Sequence, residues 1–146
     1  MLVRTSSAFL LFLSLLTSSS SALDWPQWRG PNRDGKSTDT GLLQEWPVSG
    51  PPLSWTASGL GRGFSSVSLA DGRIFTMGDA ENDQHVIAFR EEDGSLLWKT
   101  RVGPAWTDPS LYPGSRSTPT VDGDRIYVLG TEGDLACLRA ATSARP

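Results

Sequence analysis

The sequence predicts an all-β fold assembled from repeated antiparallel units. Three observations carry that prediction. The stretch from Ser66 through Asp71-Gly72-Arg73-Ile74-Phe75 to Gly78 returns 52 positions later, from Thr118 through Gly123-Asp124-Arg125-Ile126-Tyr127 to Gly130, and repetition at a fixed period specifies architecture before any single residue does. Each copy is followed by a short polar hairpin and a second apolar run, Val86-Ile87-Ala88-Phe89 in the first and Leu135-Ala136-Cys137-Leu138 in the second. Their offset is 49 because the second hairpin is three residues shorter. Finally, 15 glycines and 10 prolines suit a fold of many tight turns, and no segment after the leader sustains a helical apolar period.

Residues 1–22 have a basic start at Arg4, an apolar core over 8–16 and a small polar run ending Ser20-Ser21-Ala22, the layout of a secretory signal peptide cut after Ala22. The apolar core is about half of the roughly 20 residues a bilayer-crossing helix needs. Residues 23–52 read as an ordered arm pinned by Trp25, Trp28 and Trp46, because each indole offers a large area stabilised only by burial. Leu53-Ser54-Trp55-Thr56 matches Leu96-Leu97-Trp98-Lys99 at a separation of 43, which makes residues 53–57 the outer strand of a preceding unit. A full unit occupies 64–102, with strands at 66–69, 73–78, 85–90 and 96–101 and turns at Asp71-Gly72 and Asp93-Gly94. Residues 103–114, including Trp106, connect it to a second unit. That unit, 115–146, is incomplete, with strands at 118–121, 125–130 and 135–138.

The patterning says how the units pack. In Ile74-Phe75-Thr76-Met77 and Ile126-Tyr127-Val128-Leu129 nearly every position is apolar, so both faces of each strand require cover, whereas a one-sided sheet would alternate. Sheets stacked radially as the blades of a β-propeller meet that demand. The chain then holds a partial β-propeller: one full four-stranded blade, most of a second and one strand of a third.

Three segments stand out: Asp24-Trp25-Pro26-Gln27-Trp28-Arg29-Gly30-Pro31-Asn32-Arg33-Asp34-Gly35, the phrase Gly63-Phe64-Ser65-Ser66-Val67-Ser68 with Asp71-Gly72-Arg73-Ile74-Phe75, and Ala88-Phe89-Arg90-Glu91-Glu92-Asp93-Gly94-Ser95-Leu96-Leu97-Trp98. In them the chain resembles the secreted pyrroloquinoline-quinone-like β-propeller repeat proteins, relatives of the outer-membrane assembly lipoprotein and of the quinoprotein alcohol dehydrogenases. The resemblance implies that Trp55 and Trp98 dock one blade onto its neighbour. Members of the family are considerably longer. This chain departs from the pattern at Arg139 and at Ser143-Ala144-Arg145-Pro146, so the expectation is a truncated N-terminal piece, or a frame lost near Leu138. A propeller left open in this way is expected to self-associate through its exposed blade faces.

Composition narrows the chemistry. Without the leader, 12 basic and 16 acidic side chains leave a formal charge of −4, and no basic face or nucleic-acid motif is present, so nucleic acid is not an expected partner. The single cysteine, Cys137, excludes an intrachain disulfide, cysteine-rich zinc sites and lipid attachment at the cleavage site. The chain is therefore expected to be periplasmic or secreted, with no membrane span after cleavage.

The residues that could carry chemistry each have a simpler structural reading. The acidic run Asp79-Ala80-Glu81-Asn82-Asp83 offers oxygens that Ca²⁺ favours but lacks the glycine and distal glutamate of an EF-hand loop, and reads as a hairpin tip. His85 opens a strand without a nucleophile beside it in the sequence. Ser65, Ser66, Ser115 and Ser117 lie outside any nucleophile-elbow pattern and read as turn residues. Arg29 and Arg33 among Trp25 and Trp28 read as a stack that pins the arm to the body. No catalytic or metal-binding residue is assigned, cofactor-binding residues are left open, and no cofactor is expected.

The preferred function is a non-catalytic exported scaffold that binds protein or envelope components. The resemblance also implies an alternative, a quinoprotein dehydrogenase using pyrroloquinoline quinone (PQQ) with Ca²⁺, although such enzymes carry a disulfide between adjacent cysteines that this chain cannot form. A non-functional fragment is the third reading.

Overall fold

The computed structural model describes residues 23–108, 112–142 and 144. The signal peptide expected over 1–22 lies outside the described residues, as do Ser143, Arg145 and Pro146 of the tail. Described residues form two antiparallel sheets and no helix. The first has four strands in sequential order, β1 (Ser68–Ala70), β2 (Arg73–Ala80), β3 (Asp83–Arg90) and β4 (Leu96–Pro104). The second has three, β5 (Thr120–Asp122), β6 (Arg125–Leu129) and β7 (Leu135–Arg139).

Turn chemistry sets these registers. Asp71 and Gly72 both take positive φ, 51° and 68°, which closes a two-residue hairpin whose twist matches the strands. The polar segment between β2 and β3 is shorter than the sequence suggests. Asp79 pairs with Gln84 and Ala80 with Asp83, so only Glu81 and Asn82 turn, at φ 56° and 68°. Side-chain polarity there marks the ladder's wet end and does not interrupt it. β4 likewise continues to Pro104, opposite Asp83.

The two sheets pack front to back. Paired positions share a face, so Phe75 with Ala88 and Met77 with Val86 form one row on the first sheet, and Ile126 with Leu138 and Val128 with Ala136 form a row on the second. These eight side chains make one buried cluster, joined by Val102 and Ala140 and flanked by Trp98 and Val121. Each of the larger ones contributes roughly 1.5–3 kcal/mol relative to exposure. At the repeat offsets, Phe75, Met77, Val86 and Ala88 correspond to Tyr127, Leu129, Leu135 and Cys137. These lie on the second sheet's opposite face, so the front of one blade meets the back of the next.

That correspondence explains where burial departs from the two-faced pattern. Met77 and Val86 are 3% and 0% exposed, whereas their counterparts Leu129 and Leu135 are 53% and 74% exposed. The second sheet alternates in burial because its outer face has no neighbour among the described residues.

Residues 53–57 form no strand and belong to neither sheet. An outer strand is held by the strand inside it, and no described strand stands inside this one. Trp55 is nonetheless fixed. Its indole N–H donates to the Glu91 carbonyl (2.8 Å), and its ring fills the space a Cβ at Gly94 would need. Trp98 does the same one blade on. It donates to the Ala140 carbonyl (3.1 Å), with its ring 5.9 Å from Phe75, and Ala140 is Glu91 displaced by the repeat offset of 49.

The arm differs from its expected form. Trp25 is partly buried, but Trp28 and Trp46 are exposed. Arg29 does stack on Trp28, 5.5 Å from the ring centroid, yet Trp28 is exposed and the Arg29 guanidinium donates to the Asp34 carbonyl (3.4 Å) within the arm itself. Backbone bonds anchor the arm instead. Trp25 and Leu69 exchange N–H···O bonds of 2.8 and 2.9 Å, and the Val121 N–H donates to the Pro26 carbonyl (2.7 Å). Residues 25–26 thus lie between the inner strands of both blades.

Replacing Trp98 with Ala removes both a hydrogen bond and ring packing between the sheets, and is expected to destabilise the chain by about 3 kcal/mol in urea unfolding. Trp98→Phe keeps the packing and is expected to lose only about 1 kcal/mol.

Candidate functional site

The chemistry-bearing side chains collect where the two repeats meet near the axis. There the 52-residue period becomes a contact: Gly63 and Ser115 form a parallel bridge, and the Phe64 N–H donates to the Ser115 carbonyl (2.7 Å). One step further, the Ser65 hydroxyl donates to the Ser117 carbonyl (2.7 Å), and the Ser117 hydroxyl donates to the Leu129 carbonyl (2.6 Å). Glycine is required for this approach. Gly114 has φ 111°, and a Cβ on it would stand 2.7 Å from the backbone of Gly63. The four serines, read from sequence as turn formers, thus include three that stitch one blade to the next or to its own strand.

Beside this seam, Asp79 at the end of β2 is buried. Its carboxylate accepts the Ser115 hydroxyl and the Trp106 backbone N–H (3.0 Å), while its backbone exchanges two 2.8 Å bonds with Arg62. Buried carboxylates require such partners. A cleft of about 560 Å³ opens over them, lined by Arg62, Glu81, Asn82 and Trp106 among others, and the Trp106 indole N–H is buried without a partner.

A second clamp, invisible in the sequence, lies at Gln84. This residue is 1% exposed, its amide donates to the Thr131 hydroxyl (2.8 Å), and its carbonyl accepts the Thr131 N–H (3.0 Å). Gln84 is two residues before the point where the apolar run begins at Val86, so hydropathy gives no reason to place it inside a strand.

The remaining sequence candidates do not converge. Asp79 turns into the seam, whereas Asp83 accepts from Arg101 Nε at 2.6 Å on the outer side. Among the described residues no three His, Cys, Asp or Glu side chains come together as a metal site. His85 lies within β3 with its Nδ1 buried and unbonded, and burial first, then the nearby Lys99 charge, lower its pKa below the ordinary 6.5. Arg33 donates to the Gln27 side chain (3.1 Å) within the exposed arm.

On the rim of the seam a different surface stands out. Phe64 and Tyr112 meet edge to face, with ring centroids 5.8 Å apart, both largely exposed. Arg116 donates to the Tyr112 carbonyl (2.6 Å), and the three residues line a shallow, apolar cleft of about 420 Å³. Aromatic side chains and arginine are the residues enriched where proteins bind proteins. Sequence reasoning passed over this group because Phe64 and Tyr112 are 48 positions apart.

Two outcomes follow from the clamp and the histidine. Gln84→Ala strands the Thr131 N–H and hydroxyl and is expected to destabilise the chain by about 2 kcal/mol in denaturant melts. For His85 the folded state resists a proton that the unfolded chain accepts near pH 6.5, so its contribution is present above that pH and is lost as pH falls toward the lower folded value. His85→Gln is expected to flatten that part of the stability profile as the pH falls below 6.5.

Among curated proteins none matches this chain. The backbone course past Leu138 is still that of the repeat: Glu91 N–H to Gly72 carbonyl (3.0 Å) recurs as Ala140 to Asp124 (2.9 Å), and Arg90 to Ser95 (2.9 Å) as Arg139 to Ala144 (2.8 Å). Consistent with that continuation, the family model described as outer membrane protein assembly factor BamB matches residues 37–145, and the chain belongs to this family of PQQ-like β-propeller repeat proteins.

Proposed function

We infer that this chain is part of an exported, non-catalytic propeller that binds protein components of the cell envelope, with Phe64, Tyr112 and Arg116 as the contact surface. The observation that carries this reading is the exposed edge-to-face pair beside an arginine on the seam's rim. Two large rings held in water by a rigid backbone are stabilised further only when a partner covers them. The family's description as an assembly factor supports protein binding as the activity.

Export to the periplasm or beyond rests on the signal-peptide layout of residues 1–22. Among the described residues no helix is long and apolar enough to cross a membrane. The division of the hairpin carboxylates, Asp79 to Ser115 and Asp83 to Arg101, supports a structural use of these groups over a quinone site. Trp55 and Trp98 act as the blade-docking residues, each reaching the carbonyl of the residue just past β3 or its repeat counterpart past β7.

A photo-crosslinking side chain at position 64 is expected to give a discrete adduct with an envelope protein when the chain is exported, and Arg116→Glu is expected to reduce that adduct severalfold. Absence of any adduct from positions 64 and 112 alike would sink the contact surface. Added PQQ and Ca²⁺ are expected to wash through on desalting; retained quinone absorbance with dye-linked alcohol oxidation would replace binding by catalysis.

A further inference from the structure

Independently of what the rim binds, the cleft over Asp79 holds charges that its own walls leave unmatched. Those walls are residues 61–62 ahead of β1, the β2–β3 hairpin at 79–82, and residues 105–107 and 113–114 beyond β4. All of them belong to the first blade and its links. The frame is fixed by backbone. Gly61 takes φ 84°, and a Cβ there would collide with the Asp79 carbonyl, so glycine lets this segment lie against the end of β2. Arg62 and Asp79 then form an antiparallel bridge, which places their side chains on one face. Opposite them, the Ala105 N–H donates to the Asn82 carbonyl (2.9 Å) and ties the hairpin to the far wall.

The polar groups of the cleft divide into engaged and free. The buried Asp79 carboxylate accepts the Ser115 hydroxyl and the Trp106 backbone N–H. Arg62 and Glu81 are exposed, and among the described residues neither side chain takes part in a hydrogen bond or an ion pair. The Trp106 indole N–H, from a residue of the same lining, is buried without a partner. A simple anion in this cleft would meet the charges of both Asp79 and Glu81, and a simple cation would leave the Arg62 guanidinium unmatched. A molecule that carries both charges suits both walls.

We propose that this cleft binds a small zwitterion of the α-amino-acid kind. Its carboxylate is held by the Arg62 guanidinium and the Trp106 indole N–H, and its ammonium by Glu81. The guanidinium offers a carboxylate two parallel donors, and a carboxylate oxygen satisfies the indole donor. A volume of about 560 Å³ lies within the range of small-ligand sites.

The test uses the whole chain purified from an exporting host and follows ligand protons by saturation-transfer NMR. Leucine is expected to bind saturably in the millimolar range, as exposed charges allow. Its single-charge analogues, 4-methylpentanoate and 3-methylbutylamine, are expected to bind about tenfold more weakly. Arg62→Gln and Glu81→Gln are each expected to weaken leucine about tenfold with an unchanged far-ultraviolet β spectrum. Trp106→Phe keeps a ring, removes the donor and is expected to weaken it about threefold. Leucine that fails to bind, analogues that bind as well as leucine, or leucine binding unchanged by Arg62→Gln or by Glu81→Gln would each overturn the proposal. So would binding of uncharged N-acetylglucosamine that is lost in Arg62→Gln, because it would make the cleft a saccharide site. Should Arg62→Gln lose its β spectrum, Glu81→Gln and the analogue series decide.

Discussion

Everything in this structure depends on the front of one sheet fitting the back of the next. Phe75, Met77, Val86 and Ala88 meet Ile126, Val128, Ala136 and Leu138, and neither row is buried unless the other is present. A single four-stranded sheet of this length offers two apolar faces and can hide neither by itself, which is why the pattern of nearly continuous apolar residues needs a repeat. The polar links are subordinate to that fit. Ser65 reaches Ser117 and Gln84 reaches Thr131 only after the sheets have closed on each other, and each of those bonds adds about 1 kcal/mol to an arrangement that packing has already selected.

How much of this was legible in the sequence divides along the same line. Strand order, the Asp71-Gly72 turn, the antiparallel pairing and the radial stacking are local or periodic properties, and they were readable because Ile74 to Met77 and Ile126 to Leu129 carry the pattern themselves. Gln84 and the Ser65–Ser117 bond were not, because they depend on the rotation between blades, which brings together residues 47 and 52 positions apart. No local signal encodes that rotation. A period of 52 does not by itself say that equivalent residues lie side by side, as Gly63 and Ser115 do, so that the repeat length is also a list of contacts. The rim pair Phe64 and Tyr112 was hidden for the same reason.

The arm shows where composition misleads. Three tryptophans in a short span suggest a buried aromatic anchor, yet Trp28 and Trp46 are exposed. The attachment is made by the peptide groups of Trp25 and Pro26, which satisfy the inner edges of β1 and β5. Inner strands leave donors and acceptors facing the axis, and any extended segment can meet them. The sequence need only avoid helix there, a weak requirement that leaves little trace. Gly30 is the exception: its φ of 78° and the Trp25 ring 2.8 Å from where a Cβ would stand tie that indole to a glycine.

A repeat that fixes backbone position while leaving side chains free can turn symmetry into a specific surface. Phe64 and Arg116 are equivalents, 52 positions apart, held side by side by the bond from the Phe64 N–H to the Ser115 carbonyl. Their backbones obey the repeat and their side chains do not: one supplies an aromatic face, the other a guanidinium. Residues one step inward, Ser65 and Ser117, are alike because their hydroxyls bind backbone, which is the same in every blade. Residues that point to solvent carry no such obligation. An exposed position on the seam is therefore where two copies of one unit have become chemically different, and a surface made of such differences can be selective for a partner even though the scaffold beneath it is periodic.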